Sequence, residues 1–384
     1  MLLATFETTA RAKLRPLQKL RLISWPMVLL VGLVAGIGFV MLYSAAGGSF
    51  DPWADRQMIR FVVGVVLMIA VAIVDIRVWL RNAYFIYLGA LVLLIGVEIA
   101  GDIGMGAQRW IDLGIFQLQP SELMKVALVL ALARYFHGLE AESVRRILPL
   151  VPPLLLIALP ALLVLKQPDL GTAGMLIMGG GALFFAAGVR LWKFGVLIAG
   201  GLGAVPVAWN LLHDYQKNRV LTFIDPERDP LGAGYHILQS KIAFGSGGVF
   251  GKGFLLGTQS HLNFLPEKQT DFIFTMLAEE FGLVGALTLL LIYTVLIAYG
   301  FAIAMRSRSH FGRLLALGLT FNLFLFVFIN MAMVMGIIPV VGVPLPLISY
   351  GGTAMLTVLI GFGLVMSVYV HRDSRIGRHY GEEG

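Results

Sequence analysis

The stretch LPEKQTDFIF, residues 265–274, sets Glu267, Lys268 and Asp271 directly ahead of a long apolar run. Two roles suit a carboxylate there. Thr270 or Asp271 is an ordinary N-cap for the helix that follows. Alternatively, a helix over 271–300 is about 45 Å long, against a hydrocarbon core of about 30 Å. Its first turns stand above the lipid or it tilts strongly; in outer-side space an ionised Asp271 acts as a general base or holds a cation. Glu279 and Glu280 lie further along the same helix and read as structural, at the outer boundary or facing the bundle. Glu122 and Lys125 are three apart on one helix face, which suits an internal ion pair or a pair lining a polar cavity. Asp169, in KQPDLGT, has the spacing of a helix cap. GSGGVFGKG (245–253) imitates a phosphate loop but fails: Ser246 stands five before Gly251, and Gly253 follows Lys252. The histidines form no H-E-x-x-H pattern, and His236 and His261 read as hydrogen-bonding loop residues.

These residues must be positioned by membrane helices. The chain has 384 residues, 58% hydrophobic and 13% charged, with mean hydropathy +0.85. A soluble domain is about half apolar and a quarter charged. Apolar runs long enough to span a bilayer recur throughout, which predicts an all-α polytopic membrane protein, one domain over 1–384. The spacing predicts ten spans: 24–44, 58–76, 83–100, 121–137, 147–165, 172–189, 192–212, 271–300, 311–335 and 350–370. The first follows a basic stretch without a small-residue cleavage site and reads as a retained span. The absence of cysteine excludes disulfides and thiol chemistry.

Charge sets the orientation. With both termini inside, the inner segments, including the tails 1–23 and 371–384, hold 18 of the 29 Lys and Arg but 7 of the 22 Asp and Glu. The basic pI therefore reflects topology and anionic lipid, not nucleic acid. Arg11, Lys13, Arg15, Lys19 and Arg21 set topology at the N-terminus. In this orientation every even-numbered span starts at the outer face, with free N–H groups suited to anions. QPSELMK (119–125), KQPDLGT (166–172), EKQTDF and PLISYGGT (346–353) each open one of those spans. Between spans seven and eight runs a large outer loop, 213–270. Within it, 235–244 patterns as a short amphipathic helix at the interface, followed by a glycine cluster that implies close backbone packing.

GSGGVFGKGFLLGTQSHLNFLPEKQTDFIFTMLAEEFG and PVVGVPLPLISYGGT resemble the two signatures of the SEDS family (shape, elongation, division and sporulation), and QPSELMK and KQPDLGT match as well. The likeness covers nearly the whole chain and is nearer the elongation branch than the division branch. It implies a peptidoglycan glycosyltransferase that polymerises lipid II at the outer face of the cytoplasmic membrane. A class B penicillin-binding protein, other elongation-machinery proteins and membrane lipids would be its partners, with no nucleic acid. It assigns the essential aspartate to Asp271, and functional roles to Glu122, Lys125 and Asp169. The chemistry also needs charge to stabilise a leaving pyrophosphate. Arg109, Arg219, Lys241, Lys252 and Lys268 are candidates, with Ser349 of SYGG as a further substrate contact. Mg²⁺ or Mn²⁺ on Asp271 would suit oxygen ligands, although no metal site is certain. Two rival expectations are a transporter that flips lipid-linked precursor and a non-catalytic scaffold of the elongation machinery.

Overall fold

The computed structural model describes residues 16–100, 102–104, 107–112, 114, 117–140, 142–211, 217, 221–223, 225, 233–262, 264–265, 267–374 and 376–377. Arg219 and the basic positions 11, 13 and 15 lie outside the described residues.

Helices follow the apolar runs. They are α1 (Pro16–Arg21), α2 (Trp25–Ala45), α3 (Ala54–Ile73), α4 (Ile76–Ala100), α5 (Pro120–Gly138), α6 (Val151–Lys166), α7 (Leu170–Ala186), α8 (Leu191–Leu211), α9 (Ala233–Gly247), α10 (Thr258–His261), α11 (Ile273–Arg306), α12 (His310–Val334) and α13 (Gly352–Val370). Proline in the first turn of α2, α5 and α6 fits their starts, where the missing N–H has no intrahelical acceptor to lose. Among the described residues, seven helical stretches are long and apolar enough to cross a membrane: Trp25–Ala45, Ala54–Ile73, Ile76–Ile99, Leu148–Lys166, Ile273–Arg306, His310–Val334 and Gly352–Val370. Leu170–Ala186 and Leu191–Ala204 are shorter and apolar.

At the centre, α12 packs on α5, α7, α11 and α13, while α13 packs closely on α3. α5 is buried along nearly its whole length, so Glu122 and Lys125 lie inside the bundle. Leu29, Ile59, Val62, Phe85, Leu291 and similar residues stay exposed on the outer helices, as a lipid-facing surface requires. A three-stranded antiparallel sheet, β1 (Asp102–Gly104), β2 (Ala107–Asp112) and β3 (Gln117–Leu118), links α4 to α5. It was not expected from the sequence.

Two features of the 233–282 region depart from the sequence reading. α9 packs against α11 and α12, and its Ser240 hydroxyl bonds Thr275 Oγ1 (2.8 Å) and donates to Val334 O (2.6 Å). One face of it is thus built into the bundle, while Leu238 and Ile242 stay exposed on the other. α11 also breaks at Gly282 (φ 65°, ψ −162°). The glycine-rich segment wraps this break: the N–H groups of Lys252 and Gly253 donate to Glu279 O and Glu280 O at 3.0 Å each. A methyl on Gly251 would fall 2.1 Å from Glu280 O, and one on Gly282 would fall 2.3 Å from Gly251 N. Backbone therefore meets backbone with no room for Cβ, and only glycine takes the dihedrals of Gly282 cheaply.

Gly282→Ala is expected to destabilise the protein by more than about 3 kcal/mol, since it combines steric overlap with a forbidden backbone region. Thermal unfolding of the purified protein checks this: an unchanged midpoint contradicts the packing.

Candidate active site

Asp271 does not cap α11. The N-cap position is Phe272, with no side-chain capping bond. Residues 267–272 form a turn held from within: Gln269 Nε2 and Thr270 Oγ1 donate to Glu267 Oε2 at 3.2 and 3.1 Å. From without, the turn is bound to the segment that leads into α13. Ser349 Oγ donates to Thr270 O (2.6 Å) and accepts from Leu345 N (2.7 Å). Tyr350 N donates to Gln269 O at 2.8 Å. Asn330, fully buried in α12, donates through Nδ2 to both Asp271 O (3.0 Å) and Val343 O (2.7 Å). Gln57 of α3 donates to Ser349 O at 2.9 Å. Two irregular backbone stretches thus find partners in each other and in the side chains of Asn330, Ser349 and Gln57, as irregular backbone at a bilayer must.

This clamp presents a half-buried carboxylate beside Gly342, where an added methyl would meet Asp271 Oδ2 at 3.5 Å. The neighbouring Val341 reaches the start of α7: a methyl on Gly171 would meet Val341 O at 2.7 Å. At the start of α5, Thr353 of α13 donates to Gln117 O (2.6 Å) and accepts from Gln119 N (3.3 Å). Packing and hydrogen bonds therefore gather the openings of α5, α7, α11 and α13 around one region.

Asp169 is the N-cap of α7, accepting from Thr172 N and Thr172 Oγ1 at 3.0 Å each. Arg109 of β2 lies against it: Nη1 is 3.8 Å from Asp169 Oδ2, while Nε and Nη2 donate to Gln167 O and Pro168 O at 3.1 and 2.5 Å. Arg109 thus clamps the α6–α7 turn, although a quarter of its side chain remains exposed. Glu122 and Lys125 form a buried pair at 2.7 Å. The ammonium also sits 3.9 Å over the Phe326 ring. Both line a cavity of about 40 Å³ between α5, α11, α12 and α13, and there Glu122 Oε2 and Thr357 Oγ1 have no protein partner. That volume holds a few waters at most.

The remaining predicted cations have protein partners or lie apart. Lys252 donates to Glu279 Oε1 (2.8 Å) and Thr258 Oγ1 (2.6 Å). Glu279, fully buried, also accepts from Gln259 N (2.9 Å) and from the Ser260 hydroxyl (3.1 Å) and N–H (3.3 Å). Lys252 therefore neutralises Glu279 at the helix break. Beside it, Glu280 accepts from Ser44 Oγ and lies 3.3 Å from His261 Nε2. Both glutamates are thus engaged by protein groups at the helix break. Lys268 donates to Ser260 O at 2.9 Å, and burial pulls its ammonium below the usual lysine range. Lys241 packs along Gly336, where a methyl would meet its Nζ at 3.1 Å. Among the described residues no three His, Asp or Glu side chains converge on a metal position. A divalent ion here would rest on the lone carboxylate of Asp271, water and substrate oxygens, a set that suits Mg²⁺.

Sequence reasoning missed Asn330 and Gln57. An asparagine inside an apolar span was the available signal, because a polar side chain there needs a partner.

Residues 24–374 match the family described as cell cycle protein (FtsW, RodA, SpoVE). The chain is 46% identical over 356 residues to the peptidoglycan glycosyltransferase MrdB of Escherichia coli K12, covering 90% of this chain and 94% of that one. Among solved structures, it resembles a chain of a peptidoglycan synthase complex in work on the coordination of polymerization and crosslinking. That likeness has a TM-score of 0.78 at 34% identity, over 91% of this chain and 98% of the other. It also resembles the rod shape determining protein RodA of Thermus thermophilus, with a TM-score of 0.69 at 31% identity, over 91% and 97%.

Glu122→Ala strands the Lys125 ammonium in the bundle and is expected to cost about 3–5 kcal/mol. Adding Lys125→Met should restore much of that loss. Thermal unfolding of the two variants decides: a single variant as stable as the parent contradicts the pairing.

Proposed function

The chain belongs to the FtsW/RodA/SpoVE family of cell cycle proteins, and from that membership we propose that it is a peptidoglycan glycosyltransferase polymerising lipid II during cell elongation. The observation that carries this reading is the 46% identity along almost the whole length of a relative bearing that activity in its name. The geometry of Asp271 gives the reading its mechanism.

It is a multi-pass membrane protein. In the proposed arrangement it is one domain with ten spans in the cytoplasmic membrane, α2 to α8 and α11 to α13, with both termini inside. The large loop between α8 and α11 then faces out, and so does the Asp271 turn.

Glycosyl transfer forms a bond from an acceptor hydroxyl oxygen to the donor's anomeric carbon and breaks the bond from that carbon to pyrophosphate, which leaves with the electron pair. The hydroxyl proton goes to the Asp271 carboxylate. An α-linked donor and a β-linked product make this one inverting displacement. The clamp of Asn330 and Ser349 fixes the carboxylate for that transfer, since misplacement by about 1 Å costs about a hundredfold in rate. Glu122, Lys125, Asp169 and Arg109 support the walls of the site through their pairings, and a divalent cation bound at Asp271 would supply charge for the pyrophosphate. A class B penicillin-binding protein supplies the crosslinking activity, in keeping with the synthase complex among the structural relatives.

Passage of a lipid-linked disaccharide through the bundle is the weaker reading. The cavity beside Glu122 and Lys125 is only about 40 Å³, which suits a few waters and not a sugar path.

With purified protein, its transpeptidase partner and lipid II, the parent chain makes glycan polymer. Asp271→Ala is expected to lower the rate at least about a hundredfold at unchanged thermal stability. Normal polymerisation by that variant removes the base assignment, whereas no polymerisation by the parent chain itself favours the transporter or scaffold reading. Asn330→Leu should lower kcat about tenfold with little change in KM, because it loosens the base and not the binding surface. An effect on KM alone would contradict the clamp. Chelation by EDTA, followed by restoration with Mg²⁺ or Mn²⁺, tests the cation; full activity in EDTA removes it.

A further inference from the structure

Of the predicted cations that the structure describes, Arg109, Lys252 and Lys268 are engaged by protein acceptors and Lys241 lies along Gly336. Arg60, which the sequence did not single out, is placed differently. It lies on α3, with its guanidinium 4.8 Å from the centre of the Tyr350 ring. A methyl on Gly352 would meet its Nε at 3.2 Å and its Cζ at 3.4 Å, so the group lies against Gly352 at the start of α13. Its Nη1 is shielded from solvent and has no acceptor. Among the described residues no carboxylate comes within ion-pair reach of it. Asp55, on the same helix, does not pair with it, and Arg56 beside Asp55 is exposed and adds positive charge.

An arginine nitrogen hidden from water without an acceptor is costly, and the Tyr350 ring attracts the group without neutralising it. Tyr350 N is itself bound to Gln269 O, two residues from Asp271. On its other side, α3 exposes Ile59, Val62, Val63 and Val66, the face that lipid covers. Arg60 therefore stands where a lipid-facing helix surface meets the Asp271 clamp.

We propose that Arg60, stacked on Tyr350, is a receptor for a phosphate group carried by a membrane-anchored lipid at the lateral edge of the site. A planar guanidinium binds phosphate oxygens in pairs, and this one is close to the membrane surface and lacks a protein anion. Two lipids carry that chemistry: a polyprenyl pyrophosphate and an anionic phospholipid. The first source rests on the glycosyltransferase reading; the second does not.

The test uses the full chain in phosphatidylcholine nanodiscs, titrated with undecaprenyl pyrophosphate in one arm and phosphatidylglycerol in the other. Arg60→Gln is expected to weaken binding in at least one arm by about tenfold or more, with Arg60→Lys between it and the parent. Tyr350→Leu, which keeps the charge and removes its platform, should weaken the same arm. Loss confined to the first arm identifies the pyrophosphate lipid, and loss confined to the second identifies the phospholipid. Binding within twofold of the parent in both arms for Arg60→Gln overturns the proposal, as does parental binding by Tyr350→Leu should Arg60→Gln fail to fold. A parent chain that binds pyrophosphate lipid through Arg60 but never polymerises lipid II keeps the receptor and sinks the glycosyltransferase reading. Polymerisation with unchanged binding in the variants does the reverse.

Discussion

The amide of Asn330 is the contact on which the site depends. A helix satisfies its own backbone in a bilayer, but the turn at 267–272 and the segment at 341–351 cannot. One buried Nδ2 donates to both, at Asp271 O and Val343 O, and the Ser349 hydroxyl and Gln57 amide complete the exchange. The carboxylate is thereby held by its own main chain. Its oxygens need not serve as a helix cap, because Phe272 occupies that position. A carboxylate held in place by its main chain, next to the openings of several helices, is what proton transfer requires.

The acidic residues of α11 divide by the same logic. Glu279 accepts from Lys252, Thr258, Gln259 and Ser260, so its charge is spent on fastening the 252–260 segment to the break at Gly282. Asp271 lies at the opposite end of that short helical segment. The loop that leads to Asp271 is fixed to α11 through main-chain bonds from Lys252 and Gly253, which leaves the turn at 267–272 only a short reach to its clamp.

Much of the fold was legible because hydropathy answers directly to the bilayer. The apolar runs at 24–44, 311–335 and 350–370 coincide within a few residues with α2, α12 and α13. α3 begins at Ala54, earlier than its apolar run, because Asp55, Arg56 and Gln57 disguise a helical first turn as loop. The sheet at 102–118 is too short to show a strand period. Within the site, residue type marked Asp271, Glu122 and Lys125, while spacing alone could not tell pairing from availability. Lys252 looked like a free cation until the fold brought Glu279 to it. Arg60 looked like an ordinary helix residue because its stacking partner, Tyr350, is remote in sequence. Gly282 stood inside the single span expected over 271–300, and only the backbone that crowds it explains the break.

The central claim is that Asp271 opens toward the outer face while its main chain is held by Asn330. Because the chain lacks cysteine, an Asp271→Cys variant in intact spheroplasts reports on a single thiol. A membrane-impermeant maleimide added outside is expected to label it, and lipid II is expected to slow the labelling. A thiol that reacts only after the cytoplasmic side is opened, or not at all until the protein unfolds, would contradict the account.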